Sequence, residues 1–250
     1  MLLRNLLVLS AMATCAGVLL GGRDASAASL EVNVRAAYGS AGPTSPVAYE
    51  PTGIARVVPT GPIWDGSASP YGGGAMLQGG LGLRAGSYVS VGLDGGTRSQ
   101  SAESTDPAYS DLSRSAWFVG PYVRGYIPMV PIVDPWIGLG VQYMADTQKY
   151  KGPVATTGGT MTADWTLEHH GVAVPIRIGV DYTIAKMFSI GPSFEYALVF
   201  PAGGCAKVNA ANLASMSLCA DENENKRVTK ANGYGVWSLG LSLRLTVPPA

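Results

Sequence analysis

Charge is scarce in this chain, and neither sign prevails. Charged residues make up 14% of the 250, with 17 basic against 17 acidic side chains. No basic field is available to attract nucleic acid, which excludes that class of partner. Long apolar runs are also missing: beyond Leu20 no segment approaches the roughly 20 continuous apolar residues that a spanning helix needs. Histidine is limited to His169 and His170, in Leu167-Glu168-His169-His170-Gly171, and no second cluster at metal-ligand spacing accompanies them. Gly72-Gly73-Gly74 and Gly79-Gly80 have no following Lys-Ser/Thr and no helix, so they read as strand and turn glycines and not as a phosphate loop. No metal and no cofactor is expected.

The amino terminus indicates the compartment. Met1 to Arg4 carries one positive charge, Leu6 to Leu20 is mostly apolar, and Ala25-Ser26-Ala27 offers a small-residue cleavage site. This is the layout of a secretory signal peptide over residues 1–27, leaving 28–250 as a single exported domain. Removing Arg4, Arg23 and Asp24 with it leaves 15 basic against 16 acidic residues, a formal charge of −1. Cysteine is nearly absent from that domain. Cys205 and Cys219, with 13 residues between them, are expected to form a disulfide within one late loop, as an oxidising exterior favours.

What the chain does have is strict period-two alternation. In Tyr234 to Val247, Trp237, Leu239, Leu241, Leu243, Leu245 and Val247 share one parity, while Ser238, Gly240, Ser242, Arg244 and Thr246 share the other. That run is long enough to cross a bilayer as a tilted strand, which takes about 9 to 11 residues. Seven further segments repeat the pattern: 30–38, 75–83, 89–94, 117–126, 136–146, 171–182 and 188–198. Connections alternate between long (39–74, 99–113, 147–166, 201–233) and short, the arrangement of barrels with long external loops and short periplasmic turns. The reading is all-β: a single eight-stranded antiparallel up-and-down transmembrane β-barrel with four long external loops and three short periplasmic turns.

With Val119-Gly120-Pro121-Tyr122 and Ile190-Gly191-Pro192-Ser193 added to this pattern, the chain resembles the eight-stranded bacterial outer-membrane barrels of the OmpA transmembrane-domain, OmpX and opacity-protein kind. The resemblance covers essentially all of residues 28–250. It implies the outer membrane of a Gram-negative bacterium, contact with outer-membrane lipid and lipopolysaccharide, delivery by the barrel assembly machinery, and a surface partner reached through the external loops. Barrels of this group usually end in an aromatic residue, whereas this chain ends Leu245-Thr246-Val247-Pro248-Pro249-Ala250. Barrel lipid hydrolases place a serine two residues after the catalytic histidine. Here Gly171 and Val172 occupy those positions, so no enzyme is expected.

A soluble ligand-binding barrel also alternates, so alternation alone does not say which face looks outward. All six lysines, Lys149, Lys151, Lys186, Lys207, Lys226 and Lys230, fall in predicted loops or at strand ends, which a water-facing strand surface would not require. The apolar face is therefore taken as the lipid side. Aromatics gather near segment ends and predict two interface girdles: Tyr88, Tyr126, Trp136, Tyr182 and Phe188 by the short turns, with Tyr38, Trp117, Tyr143, Tyr234 and Trp237 by the long loops. Glu31, Asp94, Asp181 and Glu195 would then face Arg35, Arg84, Arg124, Arg177 and Arg244 inside. Isolated buried ions are costly and eight strands leave little space, which predicts a salt-bridged, occluded lumen. A narrow channel for small solutes is the alternative. Pro121, Pro175 and Pro192 interrupt proposed strands and are expected to lie at bulges near the rim, Pro175, flanked by long apolar runs, being the hardest of them to place there.

Overall fold

The computed structural model describes residues 28–41, 73–102, 110–127, 132–156, 159–185, 187–209, 216–219 and 233–247. The predicted signal peptide, the C-terminal Pro248-Pro249-Ala250 and much of the long connections lie outside these residues. Alternation over each described segment yields a strand: β1 (Ser29–Ala41), β2 (Gly74–Ala85), β3 (Val89–Ala102), β4 (Ser110–Tyr126), β5 (Val133–Gly140), β6 (Gln142–Thr156), β7 (Gly159–Ala185), β8 (Phe188–Asn209), β9 (Met216–Cys219) and β10 (Tyr234–Val247).

Every pairing is antiparallel. Strands β1 to β4 pair in chain order, β4 pairs with both β5 and β6, both of these pair with β7, and β7 continues to β8 and β10. Strand β10 then returns to β1, in register from Leu30 opposite Val247 to Ala41 opposite Val236. Because β5 and β6 are two halves of one ring strand separated by Val141, the closed ring counts eight strands. Strand β9 adds to β8 outside that ring. Closure removes every free edge within the membrane, where an unpaired backbone group would find no water. At the short β2–β3 turn, Gly86 has φ +62°, a conformation that glycine adopts without a Cβ penalty.

The prolines act differently from the rim bulges expected of them. Pro121 on β4 and Pro175 on β7 flank the same interruption, at Val141 between the two half strands. The β5–β7 ladder runs to Leu139 opposite Ile176 and resumes in β6 at Gln142 opposite Ala173. A proline has no N–H to donate, so the ladder stops opposite Pro175. Val141 is kept bonded from the other side, its N–H donating to the Pro121 carbonyl at 3.1 Å. Pro175 is buried, with its ring against the backbone of Gly140, where an added Cβ would lie 3.1 Å from it. Two missing donors thus fall at one site inside the wall, while at Pro192 the β7–β8 ladder skips from Gly179–Ser193 to Tyr182–Ile190 without a register shift. The bulges themselves fall elsewhere, between Ser110 and Ser113, His170 and Gly171, and Thr183 and Ala185.

Polarity of the outer face defines where lipid ends. On β7 the outward positions from Val172 to Ile184 are apolar or tyrosine, and on β8 those from Phe188 to Phe200 are apolar, proline or tyrosine. Val172 stands opposite Phe200, so both strands change character at one level. At ~3.3 Å per residue and a tilt of ~40°, either stretch spans roughly 30 Å, the thickness of a hydrocarbon core. Above it the pattern inverts. Lys149, Lys151, Asp164 and Lys207 face out, while Leu112, Tyr150, Ala163, Trp165, Leu167 and Val208 are buried inside. The reversal follows from the change of solvent: once water surrounds the wall, apolar side chains are driven inward.

This extension corrects the loop reading of residues 147–166 and 201–233. Much of the first is the β6–β7 hairpin, and the second includes the end of β8 and β9. Lys149, Lys151 and Lys207 accordingly lie on strands, beyond the lipid band.

Candidate functional site

The barrel interior gathers the polar side chains. Glu31, Arg35, Arg84, Asp94, Arg124, Arg177, Asp181, Glu195 and Arg244 are all buried, each on the parity opposite the lipid face. They fall into two groups. At the periplasmic end, fully buried Glu31 meets Arg84 at 3.6 Å and Arg244 at 3.8 Å, and accepts a hydrogen bond from Tyr126 at 3.0 Å. Arg244 also reaches Asp181 at 3.3 Å and Asp134 at 3.0 Å, and Arg84 reaches Asp134 at 3.6 Å. Ser242 donates to Asp181 at 3.2 Å.

The central group joins opposite walls. Arg177 on β7 is ion-paired with Asp94 on β3 and, through Nε, with Glu195 on β8 at 2.5 Å. Arg35 on β1 lies 3.6 Å from Glu195 and donates to Ser193 and Ser238, each at 2.9 Å. Gln142 donates to Asp94, and Asn33 donates to the Tyr122 hydroxyl at 3.2 Å. Small residues on one wall accommodate large ones from the other: a Cβ on Gly82 would fall 2.5 Å from the Tyr122 hydroxyl. An eight-stranded interior is filled by side chains in this manner.

Above the central group comes an apolar layer of Met76, Ala116, Phe118, Met144, Ala173, Ala197, Val199 and Val236. A second polar unit adjoins it. Arg114 binds both carboxylate oxygens of Asp146, at 3.1 and 2.8 Å from its Nε, and Tyr234 donates to the same carboxylate from across the barrel at 3.0 Å. His169 is buried in register opposite Asp146. Still higher, the Tyr150 and Trp165 rings stack 6.0 Å apart, both buried.

Three of the predicted interface aromatics belong elsewhere. Tyr126, Trp136 and Tyr234 are buried at 4%, 3% and 7% exposure, on the parity of the lumen and not of the girdle. Each finds inside a partner that lipid lacks: Glu31 for Tyr126, Asp146 for Tyr234, and for Trp136 the Arg124 guanidinium 4.1 Å above its ring. Tyr88, Tyr182 and Phe188 stand exposed at the periplasmic side, and Tyr38, Trp117, Tyr143 and Trp237 at the other. Trp117 and Tyr143 lie 5.4 Å apart, with His170 stacked on Tyr143 at 6.5 Å.

Sequence reading also missed interior members. Arg98, Arg114, Asp134 and Asp146 belong to the interior, as do Gln100 and Gln148, beside Gln78 and Gln142, which parity already places there. Most were within reach by extending parity past the assumed strand ends: Arg98 continues Asp94, Arg114 continues Phe118, and Asp146 continues Met144. Outside the band, Lys151 donates to Asp111 at 2.6 Å, and this hydrogen bond, with the carboxylate's charge, raises the Lys151 pKa. Cys205 on β8 and Cys219 on β9 are register partners.

A closed antiparallel ring, apolar outside over one bilayer thickness and charged inside, is the architecture of an outer-membrane barrel. The chain matches the outer membrane protein beta-barrel domain over residues 7–244 and belongs to that family. Among solved structures it is similar to a major outer membrane protein from Thermus thermophilus, at 16% identity and a TM-score of 0.52, covering 86% of this chain and 99% of that one. Neisserial surface protein A is 12% identical, with a TM-score of 0.47 and coverage of 88% and 98%. OprG from Pseudomonas aeruginosa is 12% identical, with a TM-score of 0.47 and coverage of 88% and 96%. At this identity the Thermus likeness shows the fold alone. No curated protein matches the sequence.

Proposed function

We propose that the protein is an exported, non-catalytic outer-membrane barrel with a structural or surface-interaction role, and that its lumen is occluded. The observation that carries this reading is the stacking of cross-barrel contacts along one interior. The Asp94–Arg177–Glu195 ties lie below an apolar layer, and the Arg114–Asp146–Tyr234 unit lies beside it. A hydrated ion would have to break charge-assisted bonds in both polar units, a costly step.

Function then resides on the outside: lipid and lipopolysaccharide against the band and its girdles, and a surface partner at the external end. Export by the leader 1–27 and insertion by the barrel assembly machinery complete the reading. A Cys205–Cys219 disulfide would hold the β8–β9 hairpin at that end, consistent with the opposed positions of the two residues. Non-reducing mass spectrometry of the native protein should find these cysteines linked.

Planar-bilayer recording tests the lumen. The purified protein should insert without stable ohmic conductance, and a large steady conductance would overturn occlusion in favour of a channel.

A further inference from the structure

Among the described residues the interior charges do not balance. Seven arginines are buried there, at 35, 84, 98, 114, 124, 177 and 244, against Glu31, Asp94, Asp146, Asp181 and Glu195 and the half-buried Asp134. Five of the arginines have a carboxylate within ion-pair distance. Arg124 lies against Trp136 and reaches Glu31 through the Tyr126 hydroxyl. Arg98 has none of these: among the described residues no carboxylate pairs with it, its Nε has no hydrogen-bond partner, and its one polar contact is the Met76 sulfur at 3.7 Å. It is 7% exposed.

A buried guanidinium facing a thioether lacks the hydrogen-bonded partner that a buried charge needs, and Glu195 and Asp146 act on Arg98 only from beyond ion-pair distance. Asp146 stands two strands away in the same register row, but Arg114 and Tyr234 already engage it. On the other side of Met76 the row continues with Ala37 and Gly240, small residues that offer Arg98 no polar side chain from that wall. Gln78, on the same strand as Met76 and two residues away, is buried with its Oε1 unbonded, and a carboxamide can present its NH2 instead.

We propose that Arg98 is an anion site inside the barrel, holding one monovalent anion, a halide or a carboxylate group, against its guanidinium with the Gln78 amide as second donor. One such anion would offset the single excess cation counted among the described interior residues. The site is separate from the question of conductance, so its failure would leave the occluded-lumen reading intact.

The probes are bromide and formate, with the much bulkier gluconate as control at equal ionic strength. Crystals of the detergent-purified protein grown in bromide should show an anomalous peak at hydrogen-bonding distance from the Arg98 guanidinium. The urea midpoint should rise in bromide or formate relative to gluconate, because a ligand that binds only the folded state stabilises it. Arg98→Met, close in shape but uncharged, should remove both the peak and the anion-dependent rise. Arg98→Gln is the second variant should the first not fold. A rise in both salts assigns either anion, and a rise in one alone assigns that one. Ordered water alone at Arg98 in the bromide crystals, or an unchanged anion response in both variants, overturns the proposal.

Discussion

Asp94 on β3 and Arg177 on β7 form an ion pair across the barrel although 83 residues separate them in sequence. Arg177 also binds Glu195 on the neighbouring strand, so one guanidinium bridges two buried carboxylates, with Arg35 as a second cation on Glu195. The pair joins opposite walls of a structure whose backbone bonds run only between adjacent strands.

Removing Arg177 should therefore cost far more than one hydrogen bond. Arg177→Met leaves Asp94 and Glu195 buried without their main cation, for an expected loss of about 3–5 kcal/mol. Adding Asp94→Asn to that variant should recover part of the loss. Urea unfolding in lipid vesicles measures both. Equal stability of the single and double variants would mean that the two charges do not interact.

Glycine at position 80 is required by a side chain and not by its own backbone. An added Cβ would lie 2.8 Å from both terminal atoms of the Asn33 amide. Gly80→Ala should cost about 1–3 kcal/mol, as overpacking does. In an Asn33→Ala background the same change should cost distinctly less. A double-mutant cycle by urea unfolding gives the coupling, and additive effects would place the clash elsewhere.

The upper boundary of the lipid band can be located by charge. Ile176 is 44% exposed on the outer face of β7, inside the band, and Thr166 lies on the same face above it. Ile176→Arg should lose about 2–4 kcal/mol and Thr166→Arg about 0–1 kcal/mol. Reading the two midpoints side by side tests the level; a cost for Thr166→Arg matching that of Ile176→Arg would move the boundary outward.

Ion pairs beyond the band should matter little. Lys207 donates to Glu168 at 2.7 Å, with both side chains nearly half exposed. Lys207→Gln should change stability by less than about 1 kcal/mol, since water screens the pair and its two long side chains lose freedom in forming it. A thermal shift as large as that of Arg177→Met would show that this rim is buried against something.

Parity carried much of the interior into view before any coordinates. Glu31, Arg35 and Arg244 alternate with lipid-facing residues, and strand pleating sends them to the opposite face. The same rule, applied to Tyr126, Trp136 and Tyr234, places them inside. Nearness to a segment end misled because a girdle residue needs both the right level and the right parity. Strand length was less legible. Above the membrane the apolar residues turn inward, as Tyr150 and Trp165 do, so a pattern keyed to apolar-outward alternation reads that stretch as loop.

Alternation, taken with lysines that fall outside the predicted strand faces, was enough to point to a closed membrane barrel and to say which side chains face into it, because a period of two and a lipid exterior leave one arrangement for the apolar face. Which interior charges meet became visible only in the folded ring. Partners such as Asp94 and Arg177, or Asp146 and Tyr234, depend on register and closure around the whole circumference, and neither is encoded in any one strand. The same holds for Arg98, which has no ion-pair partner among the described residues, and for the break shared by Pro121 and Pro175: each is a property of which residue stands opposite which, fixed when β10 closes on β1.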